Sequence, residues 1–306
     1  MSNARDKAKE ADAKIISGFK QQMKTDQVIT TPFTNHTALK ATTAALAILA
    51  LYIYGWGDGI IDAIQVLNGR EMSPRDLTPE VIPALTNQLI QRAIIITGAI
   101  TLFLWLRTKP PTRKTTKTSI KYFAVAFLIV FFSVVPMLIL GSFLEWFGIP
   151  ANDYPHPETN DGLATFLYII SGATAGPAEE ILMLALVVIL MRKLNLGWTP
   201  ITIIAILLRI PFHMYYGWAA IAMIFWVMAS VLFYKFTNRI WPLVLAHATK
   251  NALGGIIALG LDPYAITALL AVAFIIYGLV VVKNHLVTLA NTPTPGTTPN
   301  NQQITR

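Results

Sequence analysis

Long apolar runs recur along this chain and constrain its fold more than any other feature. Two of them, 120–144 and 163–191, exceed the roughly 18 residues that an apolar helix needs to cross a bilayer. Backbone N–H and C=O groups cannot stay unpaired in lipid, so such runs cross it as helices. Only 13% of the residues are charged, which is about half the fraction in a typical soluble domain. The sequence therefore predicts an all-α, polytopic bundle of transmembrane helices.

The apolar runs predict about eight spans in this bundle. They fall at about 39–56, 89–106, 120–144, 163–191, 199–216, 218–236, 240–260 and 264–282. The fourth span contains Gly172, Gly176 and Pro177, so we expect a kink or a break within it. No apolar run begins near Met1, and a cleavable signal peptide is therefore not expected.

Lysines and arginines are distributed unevenly between the predicted loops. If the N-terminus lies inside, nineteen of them fall on the inner side, and only Arg70 and Arg75 fall on the outer side. Cytoplasmic loops carry such an excess of Lys and Arg, so both termini are predicted to be cytoplasmic. The net charge of +8 then records topology. The predicted partner of these basic residues is therefore the lipid bilayer, and the positive charge does not indicate binding to nucleic acid.

A small set of strongly polar side chains is left at bilayer depth once the predicted loops are set aside. The set comprises Glu179 and Glu180 in span four, Arg209 and His213 in span five, and His247, Lys250 and Asn251 in span seven. An ionised carboxylate at the bilayer centre costs roughly 2.5–3.5 kcal/mol even on lenient scales, so intramembrane acids are functional by default. The residues lie at compatible depths in three helices, and His247 and Asn251 share one helix face. We expect them to form one site.

The residue types in this set suit the hydrolysis of a peptide or acyl bond. A carboxylate beside a histidine can deprotonate a water molecule, with the second glutamate orienting the imidazole. A second histidine with an amide donor can stabilise the developing oxyanion. Arg209 fits better as the ion-pair partner of a glutamate than as a catalytic group, and Lys250 is expected to extend toward a lipid phosphate. The chain has no cysteine, which excludes a thiolate nucleophile.

Other functions remain open at this point. Two imidazoles and a carboxylate can bind zinc, but no HExxH motif is present and the ligands would come from three helices, so no cofactor is favoured. The glutamates could also be paired structurally with Arg209 or Lys250. A transporter with the glutamates as a proton or cation site would predict inverted repeats, and the sequence contains no internal repeat of that kind.

The order of the polar motifs resembles the CPBP family, the CAAX-prenyl-endopeptidase-like and bacteriocin-processing intramembrane proteases, also called the Abi family. The motifs are EE at 179–180, RxxxH ending at His213, and HxxxN at 247–251. The resemblance implies a membrane-embedded glutamic-type endopeptidase in which Glu179 and His213 activate the water molecule. It also implies that Glu180 supports them, and that His247 and Asn251 bind the oxyanion.

Two positions depart from the family pattern. Leu184 stands where the first motif has an arginine, and Arg209 stands where the second motif has a phenylalanine. Arg209 could supply the missing cation from the next helix. A catalytically silent immunity or scaffold protein of the same family is therefore an alternative, and the peptide or protein substrate stays unknown.

These inferences divide the chain into five parts. We expect a polar cytoplasmic segment at 1–38 with the spacing of an interfacial helix, three accessory transmembrane helices within 39–159, a catalytic core resembling the CPBP family at 160–260, a last transmembrane helix within 261–290 and a disordered tail at 291–306. The expected location is a bacterial-type plasma membrane.

Overall fold

The computed structural model of the protein describes residues 37–70, 76–107, 116–149, 158 and 160–257, all within one compact unit of the chain, Met1–Leu259. Every regular element in this described part is helical, which confirms the all-α fold there. The N-terminal segment before residue 37, the predicted eighth span and the tail lie outside the described residues.

Nine α-helices follow one another in the described part of the chain. They are α1 Thr37–Leu67, α2 Ile82–Leu106, α3 Thr116–Phe131, α4 Val134–Trp146, α5 Gly162–Glu179, α6 Val187–Lys193, α7 Trp198–His213, α8 Ile224–Thr237 and α9 Trp241–Ile257. A 3₁₀ turn at Pro79–Val81 precedes α2, a π-helix at Glu180–Leu186 joins α5 to α6, and a 3₁₀ segment at Met214–Met223 joins α7 to α8.

Five stretches in the described residues are long and apolar enough to cross a membrane, which identifies an integral membrane protein. They are Leu39–Leu67, Pro79–Leu106, Ile120–Trp146, Gly162–Lys193 and Trp198–Thr237. The first four coincide with the first four predicted spans. The first span is longer at its C-terminal end than predicted, and the second begins ten residues earlier. Their helices continue through Gly- and Pro-containing sequence that had been assigned to a loop.

The fifth stretch, Trp198–Thr237, contains the two spans predicted at 199–216 and 218–236. Gly217 separates them with a φ of +68°, a conformation that glycine adopts without strain. The two helices on either side, α7 and α8, pack against each other. Helix α9 covers most of the predicted seventh span and is 17 residues long. The structure therefore supports the helical bundle, while the count of eight spans stays a prediction.

The fourth span is continuous where a kink or break was expected. Helix α5 passes through Gly172, Gly176 and Pro177 and ends at Glu179. The irregularity follows immediately, as the π-helix that begins at Glu180. Pro177 has no N–H to donate to the preceding turn, and the switch to i→i+5 hydrogen bonds follows three residues later.

This irregular span is the centre of the molecule. Every residue from 178 to 190 is buried, so this segment is enclosed on all sides, as expected for a helix whose residues other than Glu179 and Glu180 are apolar. The π-helix contacts α1, α2, α7, α8 and α9. Glu179 and Glu180 lie at the start of this segment, and their side chains therefore lie where several helices meet.

Helices α5 and α9 approach each other closely because α5 has glycines at the contact. A Cβ at Gly176 would lie 2.6 Å from the backbone nitrogen of Ala248. One turn earlier, a Cβ at Gly172 would lie 3.5 Å from the carbonyl oxygen of Asn251. The first distance leaves no room for a side chain, so the glycine sets how near His247 comes to the glutamates on the central helix.

Candidate active site

Glu180 is a fully buried carboxylate with two cationic or polar partners from other helices. Its Oε1 lies 2.8 Å from Nη2 of Arg209 on α7 and 3.0 Å from Nδ1 of His247 on α9. Arg209 and Glu180 are 1% and 0% exposed, so neither charge is solvated by water. Removing one partner of such a buried pair leaves an uncompensated charge. The ion pair expected for Arg209 is thus present, and it is formed with Glu180.

Trp226 organises the polar groups around this ion pair. The guanidinium of Arg209 lies 4.6 Å from the centre of its ring, a cation–π contact. The rings of His247 and His213 meet the Trp226 ring at nearly right angles, with centroids 5.1 and 6.0 Å apart. Sequence analysis missed Trp226, because one more aromatic residue in an apolar span gives no signal of a special role.

His213 is the last residue of α7 and is oriented by its own helix. Its Nδ1 lies 2.8 Å from the backbone carbonyl of Arg209, and a carbonyl can only accept, so Nδ1 carries the proton. The neutral ring then keeps a lone pair on Nε2, which is the form that a general base requires. Pro211 lies within this turn, but it does not disturb the bond.

Glu179 differs from its neighbour because no hydrogen bond restrains its carboxylate. Its Oε2 is buried and has no hydrogen-bond partner in the described part of the chain. The charged form interacts electrostatically with His213, with Arg92 on α2 and with Lys250 on α9. Oε2 of each glutamate is thus buried without a hydrogen-bond partner among the described residues, and the two differ because Oε1 of Glu180 is held by Arg209 and His247.

Asn251 lies one turn after His247, but its amide contacts the backbone of α5. Nδ2 donates to the carbonyl of Gly172 at 3.2 Å, which ties α9 to α5. An amide group has a second N–H, so this contact does not use up its donors. The structure thus gives Asn251 a helix-packing role beside the oxyanion role that was predicted for it.

Lys250 does not extend to the lipid headgroups as expected. Its Nζ donates to the hydroxyl of Ser133 at 3.3 Å and lies 6.0 Å from the ring centre of Trp226. Ser133 lies at the junction of α3 and α4, and its side chain is buried. A polar partner inside the protein stabilises the buried ammonium without the need to reach the distant headgroup region. Lys250 therefore lies with the polar groups around Trp226.

Arg92 is a second residue that sequence analysis missed. The second span was predicted to begin at residue 89, which places Arg92 near the membrane surface, at the N-terminal end of the span. The helical stretch in the structure begins ten residues earlier, at Pro79. Its guanidinium lies 5.0 Å from the ring centre of Trp56 on α1, and Nε and Nη1 are buried without a hydrogen-bond partner. A correct span boundary would have revealed it as an intramembrane cation.

The described residues contain no group of three or more His, Asp or Glu side chains arranged to hold a metal ion. Glu180 and His247 are already engaged with each other. That the protein works without zinc stays a prediction, and an activity assay in the presence of a chelator can test it.

The fold and this cluster define a class of protein: a helical membrane protein with paired carboxylates and histidines buried where its helices meet. Residues 161–253 match the family described as Rce1-like, type II CAAX prenyl endopeptidase Rce1-like. The match confirms the resemblance to the CAAX protease family over that segment, which is less than half of the chain. It includes every site residue that the sequence predicted. No curated protein and no solved structure matches the chain.

This family is generally proteolytic, and the match over residues 161–253 therefore supports a CAAX-type membrane protease at the level of the family. Arg92 and Trp56 lie outside the matched residues.

Proposed function

We propose that this protein is an intramembrane endopeptidase in which Glu179 and His213 activate a water molecule. The observation that carries the proposal is the contrast between the two glutamates, since Oε1 of Glu180 is held by Arg209 and His247, whereas the described residues give the carboxylate of Glu179 no such pair of partners. Glu179 would take the proton of a water molecule, and the Nε2 lone pair of His213 would accept a hydrogen bond from it. The activated water then attacks the carbonyl carbon of the peptide bond, the C–N bond breaks, and the proton taken up by Glu179 passes to the departing amine.

Glu180 would act in support by orienting His247. Since Oε1 of Glu180 accepts from Nδ1 of His247, Nε2 is the nitrogen that remains for the substrate. Nε2 can donate to an oxyanion only when both ring nitrogens carry protons, and the ionised Glu180 is the counter-charge for that imidazolium. We assign His247 to the oxyanion, with Asn251 as the neighbouring amide donor.

The proposed substrate is a peptide or protein that reaches a site buried in the membrane. The departure at Leu184 leaves open whether that substrate is prenylated. Leu184 is buried in the π-helix, and Arg209 reaches Glu180 from the next helix. The cation that the family motif supplies from the same helix is thus supplied here from α7. Because Arg209 supplies the cation that Leu184 cannot, an active enzyme is favoured over a catalytically silent immunity or scaffold protein.

A cleavage assay on purified protein in detergent tests this function. The wild type is incubated with a peptide library and compared with Glu179→Gln and His247→Ala, each with and without a chelator. Glu179→Gln keeps the size of the side chain but cannot act as a base, so cleavage should be lost. His247→Ala removes the proposed oxyanion donor and should also abolish cleavage.

Three results would argue against the proposal. Equal products from the wild type and both variants would attribute the cleavage to a contaminant. Loss of cleavage on chelation, restored by zinc, would make the same residues part of a metal site. Cleavage of neither the library nor a native membrane substrate would favour the catalytically silent protein.

A further inference from the structure

Arg92 is an intramembrane cation whose charge no hydrogen bond accounts for. It lies on α2, in the part of the chain outside the segment that matches the protease family. Its Nε and Nη1 are shielded from solvent and have no hydrogen-bond partner in the described residues. A buried charge without a counter-charge is costly, so a specific partner is expected near this guanidinium.

The fold brings Arg92 to the start of the π-helix. Helix α2 packs against α5 and against the π-helix, and the two elements join at Glu179 and Glu180. Glu180 already has Arg209 and His247 on its Oε1. Glu179 has an unpartnered oxygen and interacts electrostatically with Arg92. Arg92 and Glu179, which each have buried polar atoms without a hydrogen-bond partner in the described residues, therefore complement each other in charge.

Trp56 on α1 fixes the position of the Arg92 guanidinium. The guanidinium lies 5.0 Å from its ring centre, and the same ring lies 5.6 Å from that of Phe212. Phe212 in turn contacts the ring of His213, with centroids 4.3 Å apart. Ring contacts thus connect Trp56 on α1, which holds Arg92 of α2, to His213, and His213 interacts electrostatically with Glu179.

We propose that Arg92 is a positioning residue, which supplies the counter-charge of Glu179 and fixes the direction of its carboxylate toward the reacting water. Lys250 also interacts with Glu179, but its ammonium donates to Ser133. Each glutamate then has an arginine from another helix. The first two membrane helices become part of the catalytic machinery. This inference rests on the proposed function for its kinetic part only.

The kinetic test compares Arg92→Met with Arg92→Lys. The methionine keeps most of the length without the charge, and we expect kcat to fall about 100-fold with KM nearly unchanged, since a misdirected base costs about that factor. The lysine keeps the charge and should restore part of kcat. Arg107→Met is the control, because Arg107 directly follows the last residue of α2 and stacks on Phe103. A normal kcat in Arg92→Met, or a lysine variant as slow as the methionine variant, would overturn the proposal.

A thermal-unfolding cycle tests the same contact without relying on protease activity. Arg92→Met should lower Tm in the wild-type background, because it leaves Glu179 uncompensated. In the Glu179→Gln background, where Arg92 has already lost its partner, the same change should leave Tm unchanged or raise it. The Arg107→Met change should have equal effects in both backgrounds. Equal effects of Arg92→Met in both backgrounds would refute the contact, whereas coupling without any peptide cleavage would refute only the proposed function.

Discussion

Glu179 and Glu180 are adjacent in sequence but meet different surroundings, because neighbouring residues on a helix point about 100° apart. Glu180 faces α7 and α9 and pairs with Arg209 and His247. Glu179 keeps a buried oxygen without a hydrogen bond. Oε2 of Glu180 is likewise buried without a hydrogen bond, so the difference lies in the partners of Oε1, and it supports the proposal that Glu180 is structural and Glu179 is the base.

At the scale of the residue, Arg209→Gln should be strongly destabilising. It removes the permanent cation from the buried Glu180 carboxylate, which is left with its contact to His247, and breaking a buried ion pair costs about 3–5 kcal/mol. Thermal unfolding in detergent should show a large decrease in Tm. Arg70→Gln is the matched control, because Arg70 and its partner Asp62 are 64% and 61% exposed and such pairs contribute at most about 1 kcal/mol. Similar decreases in both variants would contradict a buried ion pair.

Trp226→Leu should slow peptide cleavage about tenfold or more. The ring lies against Arg209 and touches both histidines, and a desolvated cation–π contact alone is worth about 2 kcal/mol. Trp226→Phe keeps an aromatic face and should lose less. Trp218, which is 48% exposed, provides the control Trp218→Leu. If that change slows cleavage as much as Trp226→Leu does, a specific role for Trp226 is wrong.

Which polar residues gather at the site could be predicted, because charged groups at bilayer depth need partners. His213, His247 and Arg209 were found in this way. Arg92 was not, since the span boundary was misplaced by ten residues. The contact of Asn251 with Gly172 was also unpredictable, because it depends on how closely two helices approach.

At the scale of the element, the close contact of α5 and α9 holds His247 near Glu180. Sequence patterns locate both helices but do not show the π-helix at Glu180–Leu186. The change from i→i+4 to i→i+5 hydrogen bonds leaves no recognisable pattern in the amino-acid composition. The glycines in α5 were predicted to break the helix. Their role here is steric, since they admit the backbone of α9.

Gly176→Ala should therefore disrupt the site through the backbone. The new Cβ would lie 2.6 Å from Ala248 N and 2.9 Å from His247 C, so α9 must move and carry His247 with it. We expect lower Tm and loss of cleavage. Gly254→Ala on α9 is the control, because nothing lies within 4 Å of its Cβ, and a helical alanine is favoured by about 1 kcal/mol. Normal cleavage in Gly176→Ala would contradict this account of the interface.

At the scale of the whole molecule, the all-α bundle follows from the apolar composition. Lipid cannot form hydrogen bonds with backbone N–H and C=O groups, and a helix pairs these groups within one segment. The number of spans was harder to predict. Helices extend beyond the apolar runs at Leu67 and Pro79, and two spans join through Gly217 in one stretch. Apolar length alone does not specify where such helices end.

The predicted orientation of the chain can be tested by labelling, since the wild-type chain has no cysteine. The sequence predicts that Thr112 falls in the basic loop between spans two and three and Glu158 in the acidic loop on the opposite side, so the two variants are Thr112→Cys and Glu158→Cys. A membrane-impermeant maleimide added to intact cells should label the cysteine at 158 and not the one at 112 until the cells are opened. The opposite pattern would reverse the predicted topology.

Single-turnover cleavage in H₂¹⁸O tests the central claim most directly. If Glu179 activates water, the first turnover by the wild type places one ¹⁸O in the new carboxylate of the product and none in Glu179. If Glu179 attacked the peptide bond itself, an anhydride would form, and its hydrolysis at the Glu179 carbonyl carbon would place ¹⁸O in Glu179 and leave unlabelled enzyme oxygen in the first product. Mass spectrometry of the product and of the peptide that contains Glu179 distinguishes the two. Label in the product alone is the result that this account predicts, and label in Glu179 would contradict it.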